Sequence, residues 1–132
     1  MDRDLLDLSK YRLQKAKEDL DSATVLFENQ KYSQSLNRSY YSMFHSTRAL
    51  LALDKFDSKK HSGVISFFNQ SYIKSGKIES VYGRMLMDAQ RTRTKSDYDD
   101  FYVASKDEAE KQLEDAKAFV EKIYQYLKIN GD

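Results

Sequence analysis

The stretch Leu36-Asn37-Arg38-Ser39-Tyr40-Tyr41-Ser42-Met43-Phe44-His45-Ser46-Thr47-Arg48-Ala49-Leu50-Leu51 decides how this chain folds. Leu36, Tyr40, Met43 and Leu50 recur at helical spacing along one stripe, and Tyr41, Phe44 and Leu51 run beside them as a second. Two adjacent stripes make a wide apolar arc, which suits a helix with neighbours on several sides. The spacing predicts a helix from about Tyr32 to Phe56 at the centre of an all-α fold.

Upstream, Leu6, Leu13, Leu20 and Phe27 fall seven residues apart, with Ala16 and Ala23 three residues after two of them. This narrow stripe predicts a helix over residues 4–29, packed nearly antiparallel to its neighbours, with the small alanines allowing close approach. Its other faces carry Lys, Glu and Asp and read as solvent-facing. Downstream, residues 54–60 lose the pattern and read as a connection. A short third helix is expected from His61 to about Tyr72, built on Val64, Ile65, Phe67 and Phe68, with Ser75-Gly76 as its stop. A fourth from Ile78 to Lys95 sets Ile78, Tyr82, Met85 and Ala89 on one face, and residues 96–101 are poor helix material. Ser105 followed by Glu108 has the spacing of a capping box. It opens a fifth helix whose stripe is Ala109, Leu113, Ala116, Val120, Ile123 and Leu127, with Gly131 just past its end.

Composition agrees with this reading. The 132 residues include no proline, cysteine or tryptophan and only four glycines, so helix breakers and tight turns are scarce. The length and 40% hydrophobic content suit one core, hence a single domain over residues 1–132. Ten tyrosines and seven phenylalanines are too many for a disordered chain, although 33% of residues are charged. Without cysteine there is no disulfide framework and no cysteine zinc site. No apolar run reaches the ~18 residues of a membrane span or resembles a signal peptide, so a cytoplasmic protein with no membrane partner is expected. A net charge of +1 gives no global drive towards nucleic acid.

Local asymmetry hides inside that balance. Residues 84–95 carry four cations against Asp88, net +3, and residues 97–115 carry eight acids against two lysines, net −6. These charges suit helix dipoles, the cations at a C-terminus and the acids at the next N-terminus. They also suit a phosphate-binding edge of Arg91, Arg93 and Lys95, because guanidinium groups grip phosphate bidentately. Of two histidines, His45 lies seven residues after Arg38, on the same helical face and roughly 10 Å along the axis at the usual rise. Arg38, Ser42 and His45 in line could contact one phosphodiester, arginine stabilising charge and histidine moving protons. The alternative is a polar seam with His45 hydrogen-bonded inside it. His61, after Lys59-Lys60 at a helix start, reads as a surface or capping residue. Tyr40, Tyr41, Tyr82 and Tyr126 fall on or beside apolar stripes and read as core residues with a wet hydroxyl, although they could form a stacking surface. No glycine-rich phosphate loop, His-Glu-x-x-His or glycine-flanked serine occurs. No metal site or cofactor is expected, and magnesium at Asp97, Asp99 and Asp100 is only weakly signalled.

The segment Arg38 to Leu51, then His61-Ser62-Gly63, then Arg91-Thr92-Arg93-Thr94-Lys95-Ser96-Asp97-Tyr98-Asp99 resembles the HEPN domain, the small stand-alone prokaryotic branch in particular, over about residues 6–128. The resemblance implies an up-and-down helical bundle of about five helices that dimerises and pairs with a small nucleotidyltransferase, in some cases as toxin and antitoxin. It also implies, for many members, a metal-independent ribonuclease whose motif is an arginine, four to six residues, then a histidine in the later part of the domain. Here Tyr98 stands where that histidine would follow Arg93, and Arg38 and His45 meet the spacing only on an earlier helix. Three functions stay open. The first is a non-catalytic homodimeric partner of a nucleotidyltransferase that binds nucleotide or RNA phosphate through Arg91, Arg93, Lys95 and Tyr98. The second is an endoribonuclease toxin using Arg38 and His45, or Arg93 with Tyr98. The third is an RNA-binding scaffold. The missing later histidine favours the first, and tyrosine, with an ordinary pKa near 10, is a poor base at neutral pH.

Overall fold

A computed structural model describes residues 2–130. They form five α-helices: α1 (Arg3–Glu28), α2 (Tyr32–Ala52), α3 (His61–Phe68), α4 (Ser80–Tyr98) and α5 (Lys106–Asn130). No strand occurs among the described residues. As its double stripe requires, α2 packs against each of the other four helices. Leu36, Tyr40, Met43, Phe44, Leu50 and Leu51 are all buried, and most of them join residues of α3, α4 and α5 in one core.

The close approach of α1 to α2 rests on small side chains. Ala16 and Ala23 of α1 are fully buried, as are Ser35, Ser39, Ser42, Ser46 and Thr47 of α2. A buried hydroxyl needs a partner, and these find backbone carbonyls. Ser35 donates to the Ala23 carbonyl across the interface, while Ser42 and Ser46 donate within α2. Ser9 of α1 donates to the Ala49 carbonyl at 2.7 Å. From α5, Gln112 donates to both the Leu36 carbonyl and Ser39 Oγ, fixing the register of α5 on α2.

Boundaries differ from the expected ones at several points. Helix α2 stops at Ala52, four residues before Phe56, because Lys55 takes a left-handed conformation with φ of 58°. The third helix ends at Phe68, and Asn69–Ile73 continues as a π-helical turn. Helix α4 starts at Ser80 and runs on to Tyr98, three residues past Lys95. The capping box at α5 is present, with Ser105 Oγ accepting from the Glu108 N–H at 3.1 Å. Gly131 lies outside the described residues.

The connection between α2 and α3 is more than a spacer. Asp57 accepts from Arg48 at 2.8 Å and from Arg12 of α1 at 3.3 Å, and it also caps the Ser58 N–H. Phe56 stacks on Phe67 with centroids 4.0 Å apart, and Tyr72 donates to Asp54. At the start of α3 a Cβ on Gly63 would stand 2.5 Å from Ser58 Oγ, so glycine lets the loop close tightly there. These contacts fix where the first residue of α3, His61, is placed.

Candidate functional site

Tyr41 is the hub of a polar cluster that four separate segments build. The guanidinium carbons of Arg38 and Arg93 lie 4.9 and 5.5 Å from its ring centroid, and the rings of His45 and His61 lie 5.6 and 5.7 Å away. Helix α2 supplies Arg38, Tyr41 and His45 from successive turns, α4 supplies Arg93, and the closed loop delivers His61. An aromatic face attracts cations, so one half-buried tyrosine can hold two guanidinium groups that would otherwise repel.

One side of the cluster is organised by Asp19 of α1, which is 8% exposed. Its Oδ1 accepts from Arg38 Nη1 at 3.1 Å and its Oδ2 from His45 Nδ1 at 2.7 Å. A carboxylate facing an arginine acts as acceptor, so the network assigns the His45 proton to Nδ1 and leaves the lone pair on Nε2. Burial holds His45 below the usual histidine range; Asp19 opposes that shift, and the charges of Lys15 and Arg48 reinforce it. Asp19 therefore departs from the expectation that the charged faces of α1 meet solvent. It sits three residues after Ala16 and four before Ala23, on the buried stripe itself, where only its pairing with Arg38 and His45 makes a carboxylate tolerable.

The other side is organised around His61, which is also stacked on Phe44 at 4.1 Å. Its Nδ1 lies 2.7 Å from the Tyr40 hydroxyl and 3.3 Å from Arg93 Nη1. A guanidinium can only donate, so Nδ1 must accept and the His61 proton sits on Nε2. Burial, then the charge of Arg93, keeps His61 below its ordinary value. Burial likewise pushes the Tyr40 phenol far above the tyrosine range, so it stays a donor. Arg93 Nε is buried without a hydrogen bond, with Asp97 the nearest carboxylate at 3.6 Å. Beside His61 a cavity of about 540 Å³ opens, lined by Phe44, Arg48, Asp57, Ser58 and Lys59.

The structure thus brings Arg38, His45 and Arg93 together and leaves Arg91, Lys95 and Tyr98 elsewhere. Residues two apart on a helix point to nearly opposite sides, so Arg91 and Lys95 flank a different groove from the one Arg93 enters. Arg91 pairs with Asp88 on the exposed surface at 2.9 Å, and Tyr98 is 85% exposed. Ser42 turns away from Arg38 and His45 to bond the Ser39 carbonyl. His45 does occupy a hydrogen-bonded polar seam. His61 is a half-buried member of the cluster, not merely a surface or capping residue, and Tyr40 hydrogen-bonds it instead of reaching water. Sequence reasoning missed Asp19 and His61. A carboxylate on a buried stripe and a buried tyrosine hydroxyl in need of a partner were the signals available.

Among the described residues no group of histidines and carboxylates is arranged to hold a metal ion, and no helix is long and apolar enough to cross a membrane. The HEPN domain family model matches residues 9–127. A protein of Methanocaldococcus jannaschii named as a candidate toxin is 35% identical over 128 residues, covering 97% of this chain and 95% of its own. A second candidate toxin of that organism is 32% identical over 115 residues, covering 87% of this chain and 78% of its own. A UPF0332 protein of Thermotoga maritima is 30% identical over 122 residues, covering 90% and 92%. With the resemblance carried by Arg38 to Leu51, His61 to Gly63 and Arg91 to Asp99 now matched by a family model over nearly its whole length, the chain belongs to the HEPN domain family.

Proposed function

We propose that this chain is a toxin-like HEPN protein that binds RNA phosphodiester at the Tyr41 cluster, and that it works as a homodimer with a nucleotidyltransferase as its partner. The observation that carries the reading is the convergence of two guanidinium groups and two imidazoles within 5.7 Å of one tyrosine ring. Arginine is suited to phosphate because its planar donors match the phosphate oxygens. The names of the two Methanocaldococcus relatives support a toxin-like role.

A different region supports association. Tyr98, Phe101 and Val103 are 85%, 92% and 82% exposed, large apolar side chains in water at the end of α4 and in the loop to α5. The net +3 segment and the net −6 segment adjoin there, so two copies related by a two-fold axis could set each basic end against the other's acidic stretch. Fluorescence anisotropy with a labelled single-stranded RNA tests the binding reading: the affinity should fall steeply with added salt, and absence of binding at low salt would sink it. Light scattering tests association: a dimer is expected for the native chain and a monomer for Phe101→Asp with Val103→Asp. Co-expression with a small nucleotidyltransferase from the same genome tests the partner: a complex that co-purifies is expected, and failure of every such protein to co-purify would sink that part of the reading.

A further inference from the structure

We propose that the cavity between the N-terminal part of α1 and the C-terminal part of α5 binds a medium-chain alkanoate, with its alkyl chain among leucines and its carboxylate between Lys10 and Lys128. This site is independent of the Tyr41 cluster and of the RNA-binding reading. Its volume is about 200 Å³, and Leu6 and Leu13 of α1, Leu53 just past α2 and Leu127 of α5 supply its apolar wall. The wall runs into a small core cluster of Leu13, Ala49 and Val120, which Tyr124 and Leu127 complete from the surface side. Ser9 also lines the cavity, but its hydroxyl already donates to the Ala49 carbonyl at 2.7 Å and does not call for a water. A space enclosed by leucines favours hydrocarbon over water.

The charges at the same cavity select the other end of the ligand. Lys10 and Lys128 line it and are exposed, so they mark its mouth while their stems lie along the leucines. Neither lysine has an ion-pair partner among the described residues. Lys128 suits the dipole at the end of α5, but Lys10 sits two turns into α1, where the dipole gives no reason for a cation. No carboxylate lines this cavity, whereas the one beside His61 holds Asp57 and the groove between α4 and α5 holds Asp88, Glu108 and Asp115. An anion would therefore be repelled at those places and attracted here. A simple anion has no use for the leucines and a neutral alkane none for the lysines; an alkanoate uses both. The volume lies below the ~300–1,000 Å³ of drug-sized sites, which limits the chain to a modest length.

The test titrates the full native chain with hexanoate, octanoate and decanoate, each below its micelle concentration, and with octan-1-ol as the neutral match. Calorimetry should show saturable binding that tightens about fourfold per added methylene and levels off once the chain outgrows the cavity. Octanoate should bind more tightly than octan-1-ol, and salt should narrow the difference. The Lys10→Gln, Lys128→Gln chain should bind octanoate about three- to tenfold more weakly and octan-1-ol unchanged within about twofold. In carbon-13 spectra of the native chain, octanoate should move the methyl signals of Leu6, Leu13, Leu53 and Leu127. Absence of saturable binding across the series, shifts confined to other methyl groups, or equal affinity for octanoate and octan-1-ol would overturn the proposal. Light scattering at saturating octanoate should show an unchanged mass, and a drop in mass would overturn it by showing that a second copy of the chain covers the cavity.

Discussion

The Tyr41 cluster and the outer edge of α4 are both rich in arginine, yet they behave as different kinds of surface. At the outer edge Arg91 projects into solvent and pairs with Asp88 one turn away, an arrangement that contributes little. In the cluster Arg38 and Arg93 lie against an aromatic face, and each is tied to a histidine, Arg38 through Asp19 and Arg93 directly. Arg91 and Arg93 are two residues apart in sequence, so what separates them is only the half-turn that points one inward. The difference teaches that local net charge does not tell which arginines the fold builds into a network; the burial of their partner groups does.

Removing Asp19 should break this contrast most visibly. Asp19→Ala leaves Arg38 and His45 facing each other without their shared acceptor, and a loss of about 1–3 kcal/mol in unfolding free energy is expected from urea denaturation. The matching change at the outer edge, Asp88→Ala, should cost less than about 0.5 kcal/mol in the same assay. Equal losses would mean that the cluster is no better built than the surface.

Tyr40→Phe keeps the packed ring and removes the hydroxyl that meets His61, so about 1 kcal/mol of stability should go with it. Thermal unfolding measures this, and the loss should be absent when His61 is already replaced, because the two residues act as one pair.

Acidification should weaken the cluster side selectively. Both histidines titrate below their ordinary value of about 6.5, so the folded state binds fewer protons than the unfolded chain in the region just below it. Stability must then rise with pH through that window and fall as pH drops below about 6.5. The groups facing His45 are Asp19 and Lys15 from α1 and Arg48 from α2; those facing His61 are Arg93, Arg48 and His45. Denaturation at pH 7.5 and 5.5 checks the sign, and a His45→Gln, His61→Gln chain should show a flatter dependence.

Much of this architecture is legible in the sequence because it depends on period. The double stripe of α2 and the even steps of α5 state which faces are buried, and the chain obeys them. The cluster is less legible because it depends on contacts between segments far apart. Asp19 and His45 are 26 residues apart and His61 and Arg93 are 32 apart, separations at which no helical spacing applies. Arg38 and His45 share a helix, so their common face could be read; the carboxylate that joins them could not be assigned from α1 alone. The α2–α3 connection illustrates the same limit. Its residues look unpatterned, yet Asp57 and Phe56 hold it closed through Arg48, Arg12 and Phe67, and that closure is what turns His61 from a helix-start residue into a partner of Tyr40.

The central claim is that RNA phosphate is met by the arginine turned inward and not by those turned outward. Equilibrium binding of one labelled single-stranded RNA at low salt, compared across the native chain, Arg93→Ala and the Arg91→Ala, Lys95→Ala double variant, tests it most directly. A charged hydrogen bond to phosphate contributes about 1.5–3 kcal/mol, so Arg93→Ala should weaken binding about tenfold or more. The double variant, though it removes twice the charge, should weaken it only about twofold, as screened surface cations do. A double variant that binds more weakly than Arg93→Ala would contradict the account and move the site to the outer edge of α4.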